Sequence, residues 1–260
     1  KCIMNRLKLF VGVMAVILLP GLSSCSDDNV TPQLSKIIKT IEIWEVEGSH
    51  ANLLSNISLY YDKNNQLIQM NEDNAEGKPL FFMKYACLND NEFQIEYFVD
   101  KSDFVRITGS QEKGRVYSCR YSDSDDLTTY SYDNNGYLKR VENQEIALNY
   151  QWKNNDLAAI KASERGYDSD FSSTNILNDY SLDLNVLPQL IADWDYKRVM
   201  NTYCQIAGVL GKRSRNLVEE FFFSYNYKYD EKGRLVEVIL RNNVSSKSGA
   251  YSFRFAFEDK

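Results

Sequence analysis

The sequence predicts an all-β protein: a strongly curved antiparallel meander or partly closed β-barrel, with one short helical segment inserted. Three observations carry this. One hairpin unit recurs, at residues 60–70, 130–141 and 227–238. Stretches of period-two hydropathy, bounded by Asn, Asp and Gly clusters, follow one another through most of the chain. A single stretch, about 185–210, changes to a helical period.

Turn chemistry explains the hairpin unit. In Asp230-Glu231-Lys232-Gly233 the Asp carboxylate suits the first turn position, where it accepts a backbone N–H two residues on. Gly233 supplies the positive φ that closes a short loop with a bulge. Asp133-Asn134-Asn135-Gly136 repeats the pattern. In the first copy Asn65 replaces the Gly, and Asn tolerates the same region. Residues 111–116 are a degenerate copy without the Asp, and 150–157 a shorter one with Asn154-Asn155 as a two-residue turn. Gly136 and Gly233 are therefore expected at positive φ. The irregular spacing argues for a meander and against a fixed-period solenoid or propeller. In the copies a Leu and a later Val stand three apart, as Leu235 and Val238 do. Period two cannot place both on one face, so a bulge or two-sided burial is required.

In chain order, Arg6 and Lys8 precede an apolar run, 9–19. It is too short to span a bilayer as a helix and fits the apolar core of a secretory leader. Leu22-Ser23-Ser24-Cys25 resembles a bacterial lipobox. That implies a signal peptide over 1–24 and acylation of Cys25, whose several acyl chains would anchor it stably. Residues 25–35 read as the lipidated N-terminus and a flexible linker. Ser26-Asp27-Asp28-Asn29 resembles the surface-export signal of Bacteroidetes lipoproteins, or serves as a solvated tether.

Residues 36–260 read as a single β domain. Ile41 and Ile43 share one face, then Trp44 and Val46 take the other, which asks for a bulge or for cover on both faces. Strand signals continue at 53–61, 66–70, 80–88, 92–99, 104–109, 115–121, 127–133, 137–141, 146–152 and 157–162. Residues 166–175 are polar and read as a loop. Leu187, Leu190, Ile191 and Trp194 form a helical stripe, with Pro188 tolerable in the first turn. Tyr196, Met200, Tyr203, Cys204 and Ala207 form a second stripe, out of phase. Two short helices, or one kinked near 193–195, are expected to dock on the sheet's aromatic face and close one side or mouth of it. Gly208 and Gly211 end them, and the strand pattern resumes at Val218. Phe221, Phe223, Tyr225, Tyr227 and Tyr229 alternate with mostly polar residues, as do Tyr251, Phe253, Phe255 and Phe257. As near neighbours the two strands would form an aromatic ladder worth roughly 0.2–1 kcal/mol per pair.

The lipobox, the Tyr-x-Tyr-Asp-x-x-Gly-x-Leu hairpins, and Asp183-Leu184-Asn185-Val186-Leu187 followed by Gly208-Val209-Leu210-Gly211 and Asn216-Leu217 together resemble a family of Bacteroidetes lipoproteins of unknown function with a porin-like antiparallel β fold. The resemblance covers most of the chain beyond the leader. It implies a curved sheet or partly closed barrel and carries no activity over. The hairpins alone also resemble the tyrosine-aspartate repeats of large bacterial shell-forming proteins, a likeness that turn chemistry would produce anywhere.

Loss of Lys1, Arg6 and Lys8 with the leader would leave 27 of the 30 basic residues against 36 acidic ones, a formal charge of −9. No basic patch with interleaved aromatics is present, so nucleic acid is not an expected partner. His50 is the one histidine, which argues against a Ser-His-Asp triad or a multi-His metal site. Nucleophile-elbow, P-loop and dinucleotide motifs are lacking, and no cofactor is expected. Asp123-Ser124-Asp125-Asp126 starts like a calcium loop, but Thr128 and Asn134 stand where its Gly and Glu belong. Cys87 and Cys119 fall in candidate strands and are either bridged in an oxidising envelope or buried as thiols. Trp44, Trp152 and Trp194 are candidate ligand contacts that could stack on sugars, or else fill core and rim. The leading expectation is a non-enzymatic binding or scaffold module, tethered to the outer membrane through Cys25 and facing outside, for a glycan, peptide or protein. Its rivals are a carrier or sensor of an apolar ligand, and a metal-independent glycoside hydrolase whose carboxylate pair no spacing singles out.

Overall fold

The structure, a computed structural model, describes residues 36–99, 105–122, 125–144, 147–162, 168–190, 201–220, 222–243 and 249–258. The expected leader, Cys25, Phe221 and Trp194 lie outside them. The wall begins with β1 (Ile38–Glu47), β2 (His50–Tyr61), β3 (Leu67–Asn74), β4 (Pro79–Asn89), β5 (Glu92–Val99), β6 (Val105–Glu112), β7 (Arg115–Tyr121) and β8 (Leu127–Tyr132). It continues with β9 (Leu138–Glu142), β10 (Ala147–Lys153), β11 (Asp156–Ala162), β12 (Ser169–Leu177) and β13 (Asn216–Glu220). Each of these strands pairs antiparallel with the next. The remaining strands, β14 (Phe223–Tyr229), β15 (Leu235–Asn242) and β16 (Ala250–Phe257), join the far side of β1, with Ile41 opposite Phe255 and Ile43 opposite Phe253. The 16-stranded sheet thus curls until β13 and β14 stand side by side, a barrel with one seam that is not hydrogen-bonded as a ladder.

The repeated hairpin behaves as its chemistry dictates. Oδ1 of Asp62, Asp133 and Asp230 each accepts two backbone N–H groups, two and four residues on, at 2.8–3.0 Å. Gly136 and Gly233 sit at φ +86° and +73°, with Asn65 at +62° in their place in the first copy. Asn154 and Asn155, at +54° and +70°, form the two-residue turn. The Leu/Val spacing is resolved by a bulge one residue beyond each turn. Lys228 faces Glu237 but Tyr229 faces Leu235, so Val236 is the extra residue and Leu235 and Val238 both point inward. Lys139, Ile68, Tyr117 and Ala158 are the extra residues of the other copies. β1 itself keeps its alternation against β16 through Val46, so Trp44 and Val46 stand on its outer face; the register shift opposite Ile43 and Trp44 places its extra residue, Leu54, on β2.

All these turns follow even-numbered strands of an up-and-down meander, so they ring one end of the barrel, called here the base. Lys36 and Glu258 leave from the same end. Residues 178–215 depart from β12 at the base and return to β13 there. They carry a 3-10 turn (Leu184–Val186), α1 (Leu187–Leu190) and α2 (Asn201–Ile206). Leu184, Val186, Leu187, Leu190, Cys204, Ile206 and Val209 are buried in one cluster with Ile41, Ile57, Met83, Ile95, Ile107 and Phe253 of the wall. Burial of each large apolar side chain contributes roughly 1.5–3 kcal/mol. The described part of the insert therefore docks on the inward face of the sheet and closes a mouth; Ile191, Trp194, Tyr196 and Met200 of the expected stripes lie outside the described residues.

Three expectations are corrected. Residues 166–175 are not a loop: β12 occupies 169–177. It is bonded through side chains, Ser169 to Glu220 at 2.7 Å and Ser173 to Asp156 at 2.6 Å, so it needs no apolar alternation. The run from Val218 through Tyr229 is two strands, β13 and β14, that part at the seam. The aromatic strands β14 and β16 are not adjacent either. Aliphatic β15 separates them, with Leu240 between Tyr225 and Tyr251 and Val238 between Tyr227 and Phe253.

The two faces of the wall differ sharply in polarity. An inner row across β2–β6 reads Leu59, Met70, Met83, Tyr97, Val105. The outer row beside it reads Tyr60, Gln69, Lys84, Glu96, Arg106.

Candidate functional site

Residues 207–215 cross the base as a strap, passing from turn to turn. Ala207 O accepts from Gln66 Nε2 at 3.4 Å, and Val209 O accepts from Val116 N at 3.0 Å. Lys212 N donates to Gly136 O at 2.9 Å, and Arg215 N to Asn155 O at 3.1 Å. Each bond uses a turn of the repeated hairpin, so the repeat builds the ring on which the strap is laid. The other half of the insert covers the remaining rim. Ser181 Oγ accepts from Ile38 N at 2.9 Å and donates to the Tyr61 hydroxyl at 2.8 Å. Leu235 N donates to the Tyr180 hydroxyl at 3.3 Å, and Lys36 pairs with Asp179 at 3.0 Å. Arg213 lies among Tyr61, Asp179 and Asp183, and burial pushes its guanidinium below the usual arginine range against their opposing fields. Burial also pushes the Tyr61 phenol up.

The seam is closed by side chains. Val218 N donates to Asn185 Oδ1 at 3.0 Å, and Glu220 N to the Tyr225 hydroxyl at 3.2 Å. These are β13 donors that a neighbouring strand would ordinarily take, and capping them blunts an edge otherwise open to pairing with other chains.

The structure separates the tryptophans singled out in the sequence. Trp152 lies at the base, its ring 4.7 Å from that of Tyr137 and its Nε1 donating to Leu138 O at 2.7 Å. Trp44 lies on the outer face of β1. Its Nε1 donates to Glu42 at 2.9 Å, and the Arg254 guanidinium sits over its ring at 4.6 Å. Arg254 in turn donates to Glu237 at 3.1 Å; Ser252 and Lys228 also bind that carboxylate. Burial pushes Glu237 up, but the bonds from Lys228, Ser252 and Arg254 outweigh it and hold the carboxyl below the usual glutamate range. Sequence reasoning did not find this cluster, because its members come from four strands. Cys119 does not bridge to Cys87. It is a buried thiol on β7, and the cysteine beside it is Cys204 of the insert.

These features define a class: an antiparallel β-barrel closed at its base by a segment of its own chain that packs against the inner wall. No family model and no curated protein matches the sequence. Among solved structures, a porin-like protein from Bacteroides uniformis is similar, with a TM-score of 0.57 and 16% identity over 85% of this chain and 98% of that one. The fold is therefore porin-like.

Proposed function

We propose that the chain is a lipid-anchored envelope module that stands in water beside the outer membrane and binds a glycan or protein through its outer surface, without catalysis. The observation that carries this is the polarity of the wall. A membrane-spanning barrel turns an apolar band outward and a polar lumen inward, and a Lys or Arg on its lipid face costs roughly 2–4 kcal/mol at the midplane. Here Lys84 and Glu96 stand midway along β4 and β5 on the outside, and the apolar rows face in. The buried insert and the strapped base also disfavour a solute channel or an apolar carrier. Against hydrolysis, the buried carboxylates are dispersed and bonded to separate partners: Glu72 to Ser55, Asp156 to Asn216 and Ser173, Glu237 to Ser252 and Arg254. Trp44, with the polar rim of Glu42 and Arg254, is the first candidate ligand contact on the outer face. The lipobox at Cys25 supplies the anchor, and Asp27 and Asp28 the basis for surface exposure.

Detergent phase partitioning tests the reading. The wild type should enter the detergent phase, and Cys25→Ala should remain in the aqueous phase, folded. A Cys25→Ala protein that still enters the detergent phase, or a wild type that conducts ions in planar bilayers, would mean a spanning barrel. Replacing Asp27 and Asp28 by Ala should lower protease accessibility on intact cells; unchanged accessibility removes the surface assignment.

A further inference from the structure

Two thiols meet inside the barrel. Cys119 is on the inner face of β7 and Cys204 on α2 of the insert, both buried. The Tyr130 hydroxyl stands 3.3 Å from the Cys119 sulfur and donates to the Cys204 sulfur at 4.0 Å. The two thiols also hydrogen-bond each other. A single buried cysteine is an ordinary small apolar side chain. Two in contact, one from the wall and one from the plug, with a hydroxyl against both, are placed to react with each other.

We propose that Cys119 and Cys204 close into a disulfide that fastens the insert to the barrel wall, formed by exchange with a small-molecule or protein disulfide. The Cys119 thiolate attacks one sulfur of the oxidant, whose S–S bond breaks, and one oxidant sulfur leaves as a thiolate. The Cys204 thiolate then attacks the Cys119 sulfur of the mixed disulfide and displaces the second oxidant sulfur. Both protons lost by the cysteines end on the oxidant's two thiols, and the two electrons pass to it. Cys119 is suited to begin. Its hydrogen bond with Cys204 holds its thiol below the usual range despite burial, while that bond and burial push Cys204 up. The thiolate is the reactive form. Since both sulfurs end up enclosed, exchange takes place as the insert seats, and the finished bond is shielded from reductants. The proposal rests on the envelope reading only for a supply of oxidant in the cell.

The test uses purified protein, denatured and reduced, then refolded in a glutathione redox buffer, alkylated and mapped by mass spectrometry without reduction. The expected result is a cross-linked pair of peptides holding Cys119 and Cys204, lighter by two hydrogens than the separate thiols. Adding dithiothreitol during unfolding should raise the unfolding equilibrium constant roughly a hundredfold. Cys87 carries a disulfide of its own, so the dithiothreitol effect is read in a Cys87→Ser background, where both results should persist. Cys204→Ser should abolish both, and if that variant fails to fold, the wild-type peptide map decides. Alkylation of both thiols after refolding, or a Cys119–Cys87 link, overturns the proposal. A link found in buffer but missing from envelope fractions counts against the location, not against the pair.

Discussion

Gly211 is where the strap lies hardest against the barrel. A Cβ there would stand 2.6 Å from Gly136 O and 2.8 Å from Cε1 of Tyr132, on a backbone at φ +79°. Gly211→Ala therefore combines three costs. The left-handed conformation costs an L-residue about 1–2 kcal/mol. Overlap with a backbone carbonyl, which no rotamer change relieves, adds about 1–3 kcal/mol. Displacing the strap also weakens the Lys212 N to Gly136 O bond beside it, about 1 kcal/mol. The expected loss is about 3–6 kcal/mol, a large part of a total stability of order 5–15 kcal/mol. Gly208→Ala is the control: its φ is +73° but nothing lies within 4 Å of its Cβ position, so only the first cost applies. Urea unfolding followed by tryptophan fluorescence gives both losses if the m-value is unchanged. Losses for the two variants that agree within about 0.5 kcal/mol would refute the close crossing at Gly136.

Gly233→Val should cost more than about 1 kcal/mol from φ alone, since its Cβ position is open; an unchanged urea midpoint would show the turn is misread. Leu187→Ala should cost about 2–5 kcal/mol through the cavity left in the plug, read by the same unfolding assay; a surface-like change below about 0.5 kcal/mol would place α1 outside the core. Glu237 has a folded pKa below its ordinary 4.5. Its contribution is therefore full above that value and is lost as the pH falls through the lower folded one. Glu237→Gln should flatten this part of the acid limb of stability, and an acid limb identical to wild type would mean that Lys228, Ser252 and Arg254 do not favour the charged form.

What the sequence reveals is local. Asp133 and Gly136 dictate their turn whatever surrounds them, and Leu187 and Leu190 declare a buried stripe without naming its partner. The bulge at Lys139 is half legible: Leu138 and Val141, three apart, show that simple alternation cannot hold, but the choice between a bulge and two-sided burial needs the register. β12 was missed because its stability comes from Glu220, Asp156 and the carbonyl of Leu217, all distant in sequence. The division of 218–229 escaped because β13 and β14 share a strand-like composition, and the capping of Val218 N by Asn185 and of Glu220 N by Tyr225 marks the edge. The Trp44–Arg254–Glu237 cluster and the Cys119–Cys204 contact are products of strand order, which no single stretch encodes.

The placement of the seam bears on how the barrel is assembled. Closure by hydrogen bonds joins the first strand to the last, whereas the unladdered gap falls between strands adjacent in sequence. As the chain emerges from the ribosome, β1 to β12 can zip by nearest-neighbour hairpins, but β1 keeps a bare edge until residues beyond 250 exist. That final pairing has the longest sequence separation in the molecule, so it comes late and leaves an aggregation-prone edge in the meantime. Folding after the whole chain is delivered, rather than during synthesis, avoids that interval. The eight residues of β16 also tether β14 and β15 to the rest of the sheet. A chain cut short before Ala250 therefore loses three strands from the wall by deleting one.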